Sequence, residues 1–304
     1  RVRHCHGDLH LRNIVLWRGA PLLFDCLEFD EAMATIDVLY DLAFLVMDLD
    51  ARGRRDPANR VLGRALLLSG DYGGLAVLPL FLALRSHIRA FVAAGVAAFA
   101  GEREQKAALA AEARDYFART AGYLDPPPAR LVAFGGLSGS GKSTLAAALA
   151  PEIGAAPGAL HLRSDVLRKQ LAGIGDRERL PPSAYSEASS DAVYAELRRR
   201  AGQALAAGQS VILDAVHAKP GGRAAAEALA REAGVAFTGV WLEAPRETLL
   251  ARVERRLGDA SDATAEVVES QLGYELGDIA WQRLEAGGGP AETLDRLKER
   301  LLDG

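Results

Sequence analysis

A chain of 304 residues has room for two domains of ordinary size, and 49% hydrophobic with 25% charged residues is the balance of a globular protein with real cores, not of a disordered one. The net charge of −4 excludes a globally basic surface for nucleic acid or an anionic membrane. Two cysteines, Cys5 and Cys26, are too few for a disulfide framework, which suits a cytoplasmic protein.

The chain opens on Arg1, a few residues ahead of the dense motif His6-Gly7-Asp8-Leu9-His10-Leu11-Arg12-Asn13, so its native start is expected upstream. Ile14–Trp17, a turn at Arg18-Gly19-Ala20-Pro21 and an apolar run to Phe24 predict a hairpin leading to Asp25. One arrangement for phosphoryl transfer uses an acid at the acceptor hydroxyl, an Asn five residues later on Mg²⁺, and an Asp after a short hairpin on the metal again. Asp8, Asn13 and Asp25 have that spacing, Asp8 as the catalytic acid and the other two as metal ligands. His4, Cys5, His6 and His10 crowd the same stretch, but their spacing matches no common zinc pattern. Glu28 and Asp30 read as solvated acids.

Residues 36–47 and 75–100 carry helical spacing. The second run is broken by Arg85, His87 and Arg89, whereas a bilayer span needs about 20 mostly uncharged residues, so a buried helix is expected and no membrane partner. Asp125-Pro126-Pro127-Pro128 ends the helical stretch, because proline lacks the donor and clashes with the preceding turn. The expected division is a mainly helical domain over 1–124, a linker over 125–130 and a second domain over 131–304.

Beyond the linker, strand-like runs at 131–134, 159–162, 211–213 and 237–242 alternate with amphipathic helices, the pattern of an α/β parallel sheet with helices on both faces. The first strand runs into Gly136-Leu137-Ser138-Gly139-Ser140-Gly141-Lys142-Ser143, followed by Thr144 and a helical run. In a P-loop of this form the glycines turn backbone N–H groups onto phosphates, Lys142 neutralises the β- and γ-phosphates, and Ser143 reaches Mg²⁺. ATP and Mg²⁺ are the expected cofactors. At later strand ends, Asp165 stands beside Arg163 and Arg168 as a base for an acceptor hydroxyl or as a helix cap, and Asp214 stands where it can position the acceptor or the Mg²⁺ shell. Arg252 and Arg256, four residues apart, share a helix face and form a catalytic lid or a solvated basic face, ahead of an expected mobile segment at 258–263.

With these residues in view, the chain from Leu131 resembles the P-loop small-molecule kinases related to gluconate kinase, the zeta-toxin and the polynucleotide-kinase-like enzymes. The resemblance is carried by the phosphate loop, Arg163-Ser164-Asp165 with Arg168, Asp214, Arg223, the Arg252/Arg256 pair and Ser270-Gln271. It implies a five-stranded parallel core, MgATP, and γ-phosphoryl transfer to a small hydroxylated acceptor held by Arg163, Arg168, Asp214 and Arg223. Where gluconate kinases carry a His-Phe pair in the lid, this chain has Asp259-Ala260-Ser261-Asp262. The motif at 6–25 resembles the catalytic loop of the aminoglycoside phosphotransferase and choline-kinase-like family, with Asp37 and Asp41 at its downstream helix start. That implies a C-lobe without its nucleotide-clamping N-lobe. The fusion resembles bacterial bifunctional phosphotransferase/ATP-binding proteins.

Two other functions fit the same motifs: a nucleotide-binding regulatory module acting on the first domain, and a polynucleotide 5′-hydroxyl kinase. Arg198-Arg199-Arg200 offers contacts to a nucleic-acid backbone, against which stand the acidic total and the few aromatic residues. No motif points to an obligate protein partner.

Overall fold

The computed structural model describes residues 1–256 and 258–302. The chain forms two compact units, residues 1–127 with 154–158, and residues 128–153 with the chain from 159 onward.

In the first unit, β1 (Val2–His4), a hairpin of β2 (Ile14–Trp17) and β3 (Ala20–Leu23), the single turn α1 (Glu31–Ala34) and β4 (Thr35–Asp37) precede four helices. These are α2 (Val38–Ala51), α3 (Arg55–Ser69), α4 (Leu78–Phe99) and α5 (Arg103–Leu124). Arg18 and Gly19 make the hairpin turn with φ of 50° and 80°, positive at both residues, which gives the turn the twist of an antiparallel ribbon. The helix expected at 36–47 starts later. β-branched Thr35 and Ile36 pair with His4 and Arg3 instead, and Asp37 caps α2 by accepting the Leu39 N–H.

Helix α4 corrects the expectation of a buried helix. Leu78, Leu82, Ala83, Ala90, Ala93 and Ala97 are buried, but Phe91 and Phe99 are 74% and 92% exposed, so one face is covered and the other is not. With the short turn before it, Tyr72–Phe99 is the one helix among the described residues long and apolar enough to cross a membrane. It also carries the buried Arg85, whose Nη2 donates to the Gly7 carbonyl.

The second unit runs β5 (Arg130–Gly135), α6 (Lys142–Leu149), β6 (Leu160–Arg163), α7 (Ser164–Leu171), α8 (Glu187–Ala206), β7 (Val211–Asp214) and α9 (Pro220–Glu232). β8 (Ala236–Glu243), α10 (Arg246–Glu254), α11 (Ala265–Leu272), β9 (Gln282–Glu285) and α12 (Pro290–Leu302) complete it. The strands form one sheet in the order β6-β7-β5-β8-β9, every neighbour parallel. Every residue of β7 and all but the first of β5 are buried, because both faces of a parallel sheet are covered by helices. Val132, Phe134, Ile212, Val240 and Leu242 pack with Leu145 and Leu149 of α6. Edge strand β9 has no apolar run to reveal it: of its four residues only Leu284 is buried. This parallel sheet, with a glycine loop between β5 and α6, is the P-loop NTPase fold.

The sheet makes room for the Trp281 indole by carrying no side chain at residue 239. Gly239 of β8 lies under the Trp281 indole, and a Cβ there would run into the ring. Gly239→Ala is expected to cost about 1–3 kcal/mol by overpacking. A lowered urea midpoint checks this, and an unchanged midpoint would contradict the packing.

Candidate active site

Parallel pairing decides which side chains meet. The register sets Asp214 beside Phe134 of β5 and Arg163 of β6, at the C-terminal sheet edge where such folds bind ligands. The phosphate loop rises from the same edge. A Cβ on Gly136 would stand 2.6 Å from the Leu242 carbonyl oxygen, and one on Gly139 2.5 Å from that of Leu249. Gly136, Gly139 and Gly141 also hold φ of 134°, 85° and 94°, so the loop path requires glycine for space and for conformation. Lys142, Ser143 and Thr144 open α6 and have no carbonyl four residues back to bond, which leaves their N–H groups for an anion.

Lys142 Nζ is held at the loop by the Leu137 carbonyl at 2.9 Å and the Ser140 hydroxyl at 3.4 Å. Burial brings its ammonium down to about 8, with Asp214 and Asp165 pulling the other way. Gln271 of α11 accepts the Ser138 N–H at 2.8 Å and ties that helix to the loop.

The loop lines a cleft of about 1220 Å³ whose other walls include Asp165, Arg168, Asp214, Arg252 and Arg256. A single small ligand commonly occupies a pocket of about 300–1,000 Å³, so this one has room for a nucleotide and an acceptor. Gly136 and Leu137 lie behind the lining that begins at Ser138.

Two acids in the cleft are driven apart. Burial raises the Asp165 carboxyl, and the charge of Asp214 adds to it, against weaker opposition from Arg163, Ser261 and Lys142. Burial would also raise Asp214, but its hydrogen bond from His161 at 2.9 Å and the charges of Arg163 and Lys142 hold it below the usual carboxylate range. Neighbouring titratable groups pushed apart in this way mark acid–base chemistry. Asp165 is the more basic carboxylate, and Asp214 is a fixed negative charge.

Several expected substrate contacts have other work. Arg163 is absent from the cleft lining: its Nη2 donates to Asp259 at 2.7 Å, and its Nε lies 3.5 Å from Asp214. Arg223 is likewise absent from it. Its guanidinium donates to the carbonyls of His217, Ala218, Leu276 and Asp278, clamping two loops. Arg168 lines the cleft but is partly committed to the Ala184 carbonyl at 2.6 Å and the Ser190 hydroxyl at 3.3 Å. Arg256 falls just past the end of α10, so it does not share a regular helix face with Arg252, though both reach the cleft. Arg252 bonds the Gly139 carbonyl at 3.5 Å and that of Gly288 at 2.9 Å. Arg199 and Arg200 both pair with Glu196, so the triple-arginine run is not a free basic patch.

The segment expected to be mobile is pinned by acids whose roles the sequence did not reveal. Asp259 takes Arg163, while Asp262 takes Lys169 Nζ at 2.9 Å, the Leu180 N–H at 3.0 Å and the Tyr185 hydroxyl at 2.9 Å. Only the fold brings residues 77 to 96 positions apart into these contacts.

Among the described residues, no group of three or more His, Cys, Asp or Glu side chains is placed to hold a metal ion. The hard oxygen donors in the cleft include the Ser143 hydroxyl and ionised Asp214, a set that fits Mg²⁺ taking its other ligands from phosphates and water.

In the first unit, Asp41 of α2 accepts the N–H groups of His6 and Gly7, both at 3.0 Å, and Asp48 accepts that of Leu11 at 3.0 Å. Asn13 Nδ2 donates to Asp8 Oδ2 at 3.0 Å, and His10 Nε2 lies 3.4 Å from the same oxygen. Asp25 is exposed, with φ of 58°. Asp48 escaped the sequence reading, and Arg85 entered it only as a charge that breaks an apolar run, because both sit in helices, α2 and α4, that look like core.

Residues 131–275 match the AAA domain family. The chain is 33% identical over 287 residues to uncharacterized proteins of Mycobacterium tuberculosis and Mycobacterium bovis, covering 93% of this chain. It spans 56% of the length of those relatives. Among solved structures it is similar to a gluconokinase from Sinorhizobium meliloti at 23% identity, over 58% of this chain and 97% of that one, with a TM-score of 0.39. It is also similar to the Mycobacterium tuberculosis APS kinase in complex with AMPPNP and APS, at 24% identity over 59% and 99% of the two chains, with a TM-score of 0.42.

The pinned segment predicts a pH dependence. Burial raises Asp259 and Asp262, but the ion pairs and hydrogen bonds outweigh it and leave both below the ordinary value of 3.8. A lowered folded-state pKa gives stability that is complete above the unfolded value and lost as pH falls through the folded one. Lys169 is 1% exposed, so Asp262→Asn is expected to cost about 3–5 kcal/mol at pH 7 by leaving a buried charge. The gap between wild type and variant in urea unfolding should shrink below about pH 4. A gap that stays constant down to pH 2 would contradict the role given to Asp262.

Proposed function

We propose that the second unit is a kinase that transfers the γ-phosphoryl group of ATP to a hydroxyl of a small metabolite. The observation that carries this is the pairing of a phosphate loop with Asp165, a carboxyl of raised basicity on the wall of the same cleft. The loop N–H groups and Lys142 hold the β- and γ-phosphates, and Arg252 and Arg256 neutralise charge on the transferred group. Asp165 takes the acceptor proton as the acceptor oxygen bonds the γ-phosphorus, the bond from phosphorus to the bridging oxygen breaks, and ADP leaves. Arg168 and Asp214 face the acceptor, while Arg163 and Arg223 position the strand ends from behind. Mg²⁺ would be held by Ser143 with Asp214 and would supply charge neutralisation between the phosphates.

A pure nucleotide sensor has no need of a basic carboxylate facing the phosphates, and the commitment of Arg199 and Arg200 to Glu196 weakens the case for a nucleic-acid acceptor. For the first unit we infer an aminoglycoside-phosphotransferase-like catalytic loop. Asp8 is the catalytic acid, oriented by Asn13, with Asn13 and Asp25 as metal ligands. The support is the way Asp41 and Asp48 fix the backbone from Asp8's two sides.

ATP consumption should depend on an acceptor when the chain is offered sugars, aminoglycosides, nucleosides and 5′-hydroxyl oligonucleotides. Lys142→Ala should abolish it. Asp165→Asn should lower kcat by about 10²–10⁴ while nucleotide affinity is kept. Full turnover in Asp165→Asn would remove the proposed base, and acceptor-independent behaviour throughout would favour the sensor.

A further inference from the structure

The carboxamide of Gln271 is only half used. Its Oε1 accepts the Ser138 N–H at 2.8 Å, and that donor fixes which end of the amide is oxygen. Nε2 has no protein partner among the described residues and is not sealed off, so it opens on the cleft that this 7% exposed residue lines. Two N–H donors are left for a ligand.

The pose is built into the fold. Helix α11 turns Glu266, Val267, Ser270 and Gln271 to the cleft, positions whose spacing of three and four puts them on one face. Val268 of the same helix is fully buried against Leu249 and Val253 of α10, and Leu137 of the phosphate loop packs on that cluster. Arg246 pairs with Glu269 on the exposed side.

The location points to the end of the phosphate chain. One peptide unit carries two contacts: the Leu137 carbonyl accepts from Lys142 Nζ at 2.9 Å, and the N–H of the next residue, Ser138, goes to Gln271. In loops of this form the backbone cradles the α- and β-phosphates while the lysine reaches the β- and γ-phosphates, so the resting place of the ammonium marks the γ end. The residue type agrees with that position. A glutamate would accept the Ser138 N–H more strongly but would set a negative charge against the phosphates. Glutamine accepts from the loop at one end and donates to an anion at the other, without charge.

We propose that Gln271 is a further catalytic residue, its Nε2 donating to an oxygen of the γ-phosphoryl group through the transfer. This rests on the kinase activity proposed above and adds a neutral donor to Lys142, Arg252 and Arg256. Because the amide is already fixed to the loop, it needs no reorganisation when charge shifts on the transferred group.

The test measures the affinities of the full chain for MgAMPPNP and MgADP calorimetrically, without an acceptor, in wild type, Gln271→Glu and Gln271→Met. Glutamate keeps the acceptor for Ser138 and loses the donor, whereas methionine loses both. In each variant AMPPNP affinity should fall about tenfold or more relative to that for ADP, which has no γ-phosphate. ADP affinity reports whether the loop is intact, so if Gln271→Met loses ADP as well, Gln271→Glu decides. Equal losses for the two nucleotides in Gln271→Glu, or no loss, would overturn the proposal. Turnover with the acceptor panel separates the two readings. A shifted nucleotide preference with no transfer to any acceptor would overturn the kinase activity and leave Gln271 at the γ-phosphate. Transfer by Gln271→Glu at the wild-type kcat would overturn the role of Gln271 and leave the kinase standing.

Discussion

The site depends on one buried charge, the Asp214 carboxylate. A carboxylate so deep is costly unless it is paired, and the parallel register of β6 and β7 supplies the pairing by setting Arg163 opposite Asp214, with His161 bonded to the same oxygen at 2.9 Å. Once ionised, Asp214 acts on its neighbours. It raises Asp165, counters the desolvation of Lys142, and through Arg163 links the sheet edge to Asp259. Burial sets the direction of both shifts, and the charge of Asp214 reinforces that of Asp165 and opposes that of Lys142.

Around that charge the cleft is assembled from distant pieces. Arg223 joins the loop after β7 to the stretch before β9, Gln271 joins α11 to the phosphate loop, and Asp262 joins the segment after α10 to Lys169 and Leu180. These contacts tie the walls to one another. They also explain why several cations with the appearance of substrate ligands serve the protein: an arginine that bonds three or four backbone carbonyls has little left for a ligand.

The phosphate loop and four of the five strands were legible because each is a local pattern. A glycine loop between an apolar run and a helix needs no knowledge of the rest of the chain, whereas β9 shows only Leu284 as an inward residue and could not be seen. The helix start at 38 was misplaced by two residues because the pairing of Thr35 and Ile36 with β1 is non-local. Asp165 and Asp214 were legible by their positions at strand ends. Arg163 and Arg223 were named for the right region, but their partners include residues 51 to 96 positions away, which no local pattern reveals. Gln271 was legible only through the resemblance, because its bond to Ser138 spans 133 positions.

The most direct measurement follows the phosphoryl group itself. The full chain would be incubated with ATP labelled with ¹⁸O in the γ-phosphoryl group, Mg²⁺ and a small-molecule metabolite extract, and the products resolved by mass spectrometry. The account predicts that label enters a hydroxylated metabolite as a phosphate ester, and that this product disappears with Lys142→Ala. Label found solely in inorganic phosphate, at equal rates with and without the extract, would contradict it.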